Sequence, residues 1–171
     1  MLRRFERMLG LFPFSRLTKS HAVFRIIAVD FGESPVFEHS YPQPIDIGAI
    51  LTAAKEFENP DCCYCLEAWW DLWQYDSEWK LQPSRVALCC FGPEFARDLG
   101  EDLRIEFGID ALFLPQPELP NAVRMAQSNI KSLLKLVHDL DDALNPDRRQ
   151  LWSESGENFS DRLQRALEMA V

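Results

Sequence analysis

The sequence lacks any apolar run near the roughly 18 residues that a membrane-spanning helix requires. Its longest apolar stretches, residues 22–29 and 86–91, have the length of strands. It also lacks a phosphate-binding glycine-rich loop, a dinucleotide-binding fingerprint and the glycine-flanked serine of a hydrolase. We therefore expect no transmembrane segment, no cofactor and no residue that a motif marks as catalytic.

Histidine is scarce, with three residues, and the five cysteines fall into two groups, at 62, 63 and 65 and at 89 and 90. A structural zinc site needs four ligands and usually takes two of them from a Cys-x-x-Cys turn. Neither group has this spacing, so we expect buried, reduced thiols without a metal. The cysteine pattern and the absence of a signal-peptide pattern near the start predict a cytoplasmic protein.

Positive charge is in short supply beyond residue 20. The chain has 18 basic and 27 acidic residues and a net charge of −9, although residues 1–20 hold five basic residues and a single glutamate. A protein that binds nucleic acid needs lysine and arginine in a patch to contact phosphates, and this composition disfavours such a partner. An acidic body instead favours a protein partner, and a basic one in particular.

Hydrophobic periodicity predicts an α+β fold in which an antiparallel sheet of about five strands packs against N-terminal, middle and C-terminal helices. We expect one globular domain over 1–171, with a basic amphipathic helix and lead-in at 1–20, mainly sheet at 21–115 and helices at 116–171. The predicted helices are 2–12, Pro44 to Phe57, 121–144 and a last one from about Ser160. The predicted strands are 22–29, 36–41, a long central hairpin over 62–91, 102–107 and a short extended piece at 111–114. Prolines around residues 36–41 predict an edge strand there.

The helix at 121–144 has a continuous apolar seam, with Asn121 as its expected N-cap and Asn145 followed by Pro146 as its end. The seam residues are spaced alternately by three and four: Val123, Ala126, Ile130, Leu133, Val137, Leu140 and Leu144. We expect the seam to pack on the sheet of its own chain. Its length of about three heptads would also support a homodimer through the same helix.

Side chains along the central hairpin alternate between two faces. If Asp76 and Ser77 form the loop, Cys63 faces Cys90 across the two strands. The predicted core face then carries Tyr64, Leu66, Ala68, Trp70 and Leu72 beside Leu81, Pro83, Ala87, Cys89 and Phe91. Pro83 leaves this register open, because a bulge there would shift the pairing and exchange the two faces of the strand beyond it.

The opposite face of the first hairpin strand interleaves acids with aromatics at Glu67, Trp69, Asp71 and Trp73. We interpret these four residues as the partner-binding surface of a non-catalytic protein-binding module, such as an immunity or antitoxin-like protein, an adaptor or a chaperone. A terminal helix covering the aromatics would contradict this interpretation. The alternative function is a small enzyme or carbohydrate-binding domain that uses Glu67 and Asp71 with Trp69 and Trp73. A pocket holding both carboxylates with raised pKa values would favour the enzyme.

Overall fold

The predicted α+β fold is confirmed by a computed structural model, which describes residues 1–97, 99–154, 156 and 158–170. The strands form one antiparallel five-stranded sheet in the order β2-β1-β3-β4-β5. Their bounds are β1 Ala22–Ala28, β2 Phe37–Tyr41, β3 Cys62–Asp76, β4 Glu78–Phe91 and β5 Leu103–Glu106. Within the described residues the helices are α1 Leu2–Leu11, α2 Ile47–Glu56, α3 Ala122–Leu144, α4 Ser160–Glu168 and a 3-10 helix at Asp110–Phe113.

Contacts divide the chain into two compact units. The first unit comprises Met1–Trp70 and Pro83–Phe107, and the second unit comprises Asp71–Gln82 and Gly108–Val171. Strands β3 and β4 each contribute residues to both units, so the base of the long hairpin belongs to the first unit and its tip to the second.

Helices α1 and α2 pack against each other in the first unit. The apolar stripe predicted for the N-terminal helix is confirmed, because Leu2, Phe5, Met8, Leu9 and Phe12 are all buried. The ring of Phe5 stacks on Phe24 of β1 with 6.3 Å between centroids. Burial of this stripe places α1 on the sheet of the first unit.

Helix α2 starts later than predicted. Pro44 was expected to open it, but the first helical residue is Ile47 and the N-cap is Asp46, whose side chain accepts a hydrogen bond from the Ala49 amide at 3.0 Å. A side-chain carboxylate satisfies a free amide of the first turn, which a proline ring cannot do. At the other end, the Tyr64 hydroxyl donates to the Phe57 carbonyl at 3.0 Å and so joins the end of α2 to β3.

The predicted core face of β3 is confirmed, but the predicted register of the hairpin is wrong by one residue. Ser77, with a φ of 63°, is the only residue between β3 and β4. Cys65 lies opposite Cys89 with 4.2 Å between Cα atoms, whereas the predicted register places Cys63 against Cys90. A shift of one residue exchanges the faces of β4. Val86 and Leu88 are therefore buried on the core side, and Leu81, which was assigned to the core, is 43% exposed.

A small apolar cluster lies on the other face of the sheet in the first unit. It consists of Cys63, Cys89, Phe91 and Phe95, with Leu99 packed against it. The residues that cover this end of the hairpin belong to the turns that follow β4. Phe31 contacts the cluster edge-on, with 5.0 Å between its ring centroid and that of Phe95.

The second unit holds the tip of the hairpin, the 3-10 helix, α3 and α4. The extended piece predicted at 111–114 is wrong, since residues 110–113 form the 3-10 helix. Both ends of α3 were predicted correctly, yet Asn121 has a left-handed backbone and its side chain makes no capping hydrogen bond. Helix α4 begins at Ser160 as predicted, and its buried residues are Leu163 and Ala166.

Asn129 of α3 binds the backbone of the hairpin tip. Its amide oxygen accepts from the Trp73 N–H at 2.8 Å, and its amide nitrogen donates to the carbonyls of Trp73 at 2.9 Å and Leu112 at 2.7 Å. The side chain thus takes the place of a neighbouring strand, whose backbone would satisfy the same two groups of Trp73. Asn129 is only 2% exposed, so these bonds form away from water.

Gln127 makes a second buried link within the second unit. Its side-chain nitrogen lies within hydrogen-bonding distance of the carbonyls of Ala166, Leu167 and Met169 at the end of α4. These are the carbonyls that the end of a helix leaves without an intrahelical partner.

Among the described residues, no helix combines the length and the apolar character needed to cross a bilayer.

Candidate functional site

The four predicted partner-binding residues occupy alternate positions of β3. Glu67 and Trp69 belong to the first unit, and Asp71 and Trp73 belong to the second. All four are half-buried, whereas the intervening residues Ala68, Trp70 and Leu72 are buried at 1% exposure or less. Strand alternation therefore sorts the side chains of β3 as predicted.

Glu67 lies at the centre of a row of alternating charges on the sheet of the first unit. Arg25 of β1 donates to Glu67 with 2.8 Å between Nη1 and Oε1 and also pairs with Glu38 of β2. From the other side, Arg85 of β4 donates to the second oxygen of Glu67. We call Glu38, Arg25, Glu67 and Arg85 the charge row; it crosses β2, β1, β3 and β4 in that order.

The charge row stays open to water at its ends. The exposed fractions of the side chains are 53% for Glu38 and 64% for Arg85, and they fall to 30% and 26% for Arg25 and Glu67 in the middle. The neighbouring residue Phe24 of β1, which points to the helices, is fully buried. The sheet of the first unit therefore has one covered face and one partly open, charged face.

Two arginines keep Glu67 ionised. Partial burial by itself would raise the pKa of this carboxyl, but the hydrogen bonds and charges of Arg85 and Arg25 outweigh it and lower the pKa below its usual value. The hydrogen bond to Glu38, with a further contribution from Glu67, raises the pKa of Arg25. A proton donor needs a raised pKa, so this setting suits a fixed negative charge better than a general acid.

The lowered pKa predicts how stability depends on pH. Glu67 contributes stability above the ordinary glutamate pKa of about 4.3, and this contribution is lost as the pH falls through the lower folded-state pKa. A double-mutant cycle of Glu67→Gln and Arg25→Gln should give a coupling free energy of about 1 kcal/mol at pH 7, since the pair is partly exposed. Urea unfolding at pH 7 and at pH 3 measures it. An equal coupling at both pH values would contradict the assigned ion pair.

Trp69 is anchored through its backbone. Its carbonyl accepts a hydrogen bond from the Ser15 amide at 2.7 Å, and the adjacent Phe14 bridges to Trp70. Strand β1 pairs with β3 only as far as Glu67, so the segment after α1 covers the edge of β3 where β1 stops. The indole of Trp69 is half-buried on the same face as Glu67.

Trp73 lines a cavity of about 140 Å³ in the second unit. The hairpin tip supplies one wall, and the segment around the 3-10 helix with Ala126 of α3 supplies the other. The lining residues are Trp73, Gln74, Tyr75, Trp79, Ile109, Ala111, Leu112, Leu114, Gln116 and Ala126. Asp71 and Glu67 do not line this cavity, so it does not hold the two carboxylates that the enzymatic alternative requires.

Two of the five cysteines are joined, contrary to the expectation that all are reduced. Cys65 and Cys89 form a disulfide between neighbouring strands, while Cys62, Cys63 and Cys90 are free and buried. Burial raises the pKa of the thiols of Cys63 and Cys90 to about 12, so neither is a reactive thiolate near neutral pH. Nowhere in the described part of the chain do three or more potential metal-binding side chains come together.

Sequence reasoning found Glu67 and the aromatics but missed the partners of Glu67. Arg25 lies inside a stretch counted as apolar, and the face of Arg85 depended on the register that Pro83 left open. An arginine inside a central strand is itself a signal of a nearby carboxylate, because an unpaired charge is costly to bury. The identity of that carboxylate depends on strand order.

Comparison with family models, curated proteins and solved structures found no match to this chain.

Proposed function

We propose that the protein is a non-catalytic protein-binding module whose contact surface includes the charge row and Trp69. The supporting observation is that this face of the first unit keeps half-buried and exposed charges beside a half-buried tryptophan, while the other face is packed against helices. An aromatic ring with surrounding polar groups is the usual composition of a protein interface. An immunity or antitoxin-like protein, an adaptor or a chaperone would use such a surface. A cytoplasmic location stays a prediction, and the Cys65–Cys89 disulfide opposes the cysteine argument for it.

The chemistry of the charge row favours a protein partner with charges of both signs. Two arginines and two glutamates alternate along it, and its exposed ends are Glu38 and Arg85, so a partner can donate to the Glu38 carboxylate and accept from the Arg85 guanidinium. The net charge of −9 of the whole chain would still speed the approach of a basic partner and would repel nucleic acid.

Asp71 and Trp73 remain part of the proposal as a contribution of the second unit. The alternative of a small enzyme or carbohydrate-binding domain has less support, because the pKa of Glu67 is lowered and its two oxygens are occupied by arginines. A homodimer through α3 would have to use the C-terminal half of that helix. Its residues Val137, Leu140 and Leu144 are half-buried, whereas Ile130 and Leu133 are already buried within the chain.

A matched pair of charge reversals tests the proposed surface. Arg85→Glu changes the charge row, and Lys135→Glu makes the same charge change at an exposed ion pair on α3. Both side chains are more than half exposed, so both variants should fold. The amount of partner captured from lysates of the source cells is measured by quantitative mass spectrometry. We expect Arg85→Glu to capture no partner and Lys135→Glu to capture as much as the unmodified protein.

Trp69→Ala adds a second measurement once a partner has been purified. Loss of an aromatic anchor commonly costs about 2 kcal/mol, which corresponds to a roughly 30-fold higher Kd. Isothermal titration calorimetry measures this change, and circular dichroism checks that the variant is folded. Unchanged capture by Arg85→Glu together with an unchanged Kd for Trp69→Ala would refute the proposed surface.

A further inference from the structure

Three aromatic side chains of the hairpin tip, Trp73, Tyr75 and Trp79, converge on the cavity of the second unit. Tyr75 and Trp79 meet edge to face with 5.4 Å between ring centroids. The indole nitrogen of Trp79 donates to the Pro120 carbonyl, and Asn129 holds both backbone polar groups of Trp73. The rings of Tyr75 and Trp79 and the backbone of Trp73 are therefore held by contacts within the unit before any ligand arrives, which reduces the entropy lost on binding.

The cavity has no charged lining residue, but the two chain segments that supply most of its walls are acidic in sequence. Residues 71–82 and 108–120 together contain five carboxylates and one lysine, and that lysine, Lys80, is paired with Glu78 at 2.8 Å. Asp76 follows the lining residue Tyr75, and Asp110 stands between the lining residues Ile109 and Ala111. Asp110 also lies 3.8 Å from Arg162, which offsets part of its charge. The net acidic sequence of these two segments is compatible with a cationic ligand, and the aromatic lining provides the specific attraction.

We propose that this cavity binds an alkylated ammonium group, a cation whose charge is spread over methyl groups. The faces of tryptophan and tyrosine attract cations through their negative π-surfaces, and the attraction is strongest where water is displaced. A plain lysine ammonium is strongly hydrated and would find no carboxylate in the lining to replace its water. Methyl groups remove that demand and fill the apolar wall formed by Ile109, Leu112 and Leu114.

The size of the cavity suits such a group. Apolar cavities of about 150 Å³ accept a ligand the size of benzene, and a quaternary ammonium group is of comparable bulk. Tyr75 is 37% exposed, so the aromatic wall is accessible from solvent. The group could be a free small molecule or a methylated lysine of a protein, and both would present the same chemistry to the rings. The cavity shares Trp73 with the proposed partner surface but uses neither the charge row nor Trp69, so the Arg85→Glu and Trp69→Ala tests and the choline test can fail independently.

A pair of isosteres tests the role of the charge in the unmodified protein. Choline and 3,3-dimethyl-1-butanol have the same shape, but only choline carries a positive charge. We expect isothermal titration calorimetry to show saturable binding of choline and at least roughly tenfold weaker binding of the neutral alcohol. Equal affinities would overturn the proposal, and so would an absence of choline binding or preferential binding of a neutral saccharide.

Two variants locate the site, and a peptide pair identifies the source of the cation. Tyr75→Leu should weaken choline binding about tenfold, because it removes one aromatic face of the cavity. Trp152→Leu is the control: it removes an indole that is 58% exposed and does not line the cavity, so choline binding should be unchanged. Equal loss in both variants would place the site elsewhere. A peptide with trimethyl-lysine that binds more tightly than choline, while its unmodified form does not bind, would indicate a protein ligand. Tighter binding of free choline would indicate a small molecule.

Discussion

Replacing Ile130 by aspartate is expected to reduce the free energy of unfolding by about 4 kcal/mol or more. Ile130 is fully buried in α3, and aspartate at this position both removes apolar burial and introduces a charge without a partner. Because small proteins are stable by only about 5–15 kcal/mol, such a loss unfolds much of the population at 37 °C. Urea unfolding followed by circular dichroism measures the change.

Leu134→Asp is the matched control, one turn further along the same helix. Leu134 is 42% exposed, so aspartate there remains hydrated, and the expected loss is below about 1 kcal/mol. Similar losses in the two variants would mean that helix propensity, not burial, decides the result. No loss in Ile130→Asp would mean that α3 is peripheral to the stability of the second unit.

Asn129→Asp is expected to reduce the free energy of unfolding by about 3–5 kcal/mol at neutral pH, although it replaces a single non-hydrogen atom of the side chain. The new oxygen faces the carbonyls of Trp73 and Leu112, which both lose their donor and meet a negative charge. Burial and these carbonyls should raise the folded-state pKa of the new carboxyl above the unfolded value of about 3.9. The native state then binds more protons than the unfolded state, so stability should fall as the pH rises above about 4.

Asn158→Asp is the control for this substitution. The Asn158 oxygen accepts from the Ser160 amide at 3.0 Å at the start of α4, and its side chain is exposed. Aspartate keeps that acceptor and places a negative charge near a helix N-terminus, where it is favourable. We expect unchanged or slightly higher stability. If Asn129→Asp proves as harmless as Asn158→Asp, the three assigned hydrogen bonds of Asn129 contribute nothing to stability.

The residues that sequence reasoning placed correctly follow from local rules. The alternation of β3 requires only that the chain be extended, so the division between Ala68, Trp70 and Leu72 on one face and Glu67 and Trp69 on the other could be read directly. The end of α3 at Asn145 was equally readable, because the left-handed conformation there suits asparagine and a proline follows.

The errors have two physical causes. The left-handed conformation of Ser77 shortened the hairpin loop to one residue. This changed the register by one residue, which determined the cysteine that faces Cys65 and the face of β4 that is buried in the core. The start of α2 is a boundary error of a few residues. The 3-10 helix at 110–113 is an error of element type, in a segment too short for periodicity to separate helix from strand.

The amino-acid sequence by itself determined the charge, the fold class and the faces of the elements: an acidic α+β chain with a two-faced central hairpin strand and an amphipathic helix at each end. Only the tertiary structure decided which side chains contact each other. Arg25, Glu67 and Arg85 meet because β1, β3 and β4 are neighbours, and Asn129 reaches Trp73 from 56 positions away in the chain. Periodicity records which face of an element is buried, but contacts between distant residues depend on strand order and register, which no local pattern encodes.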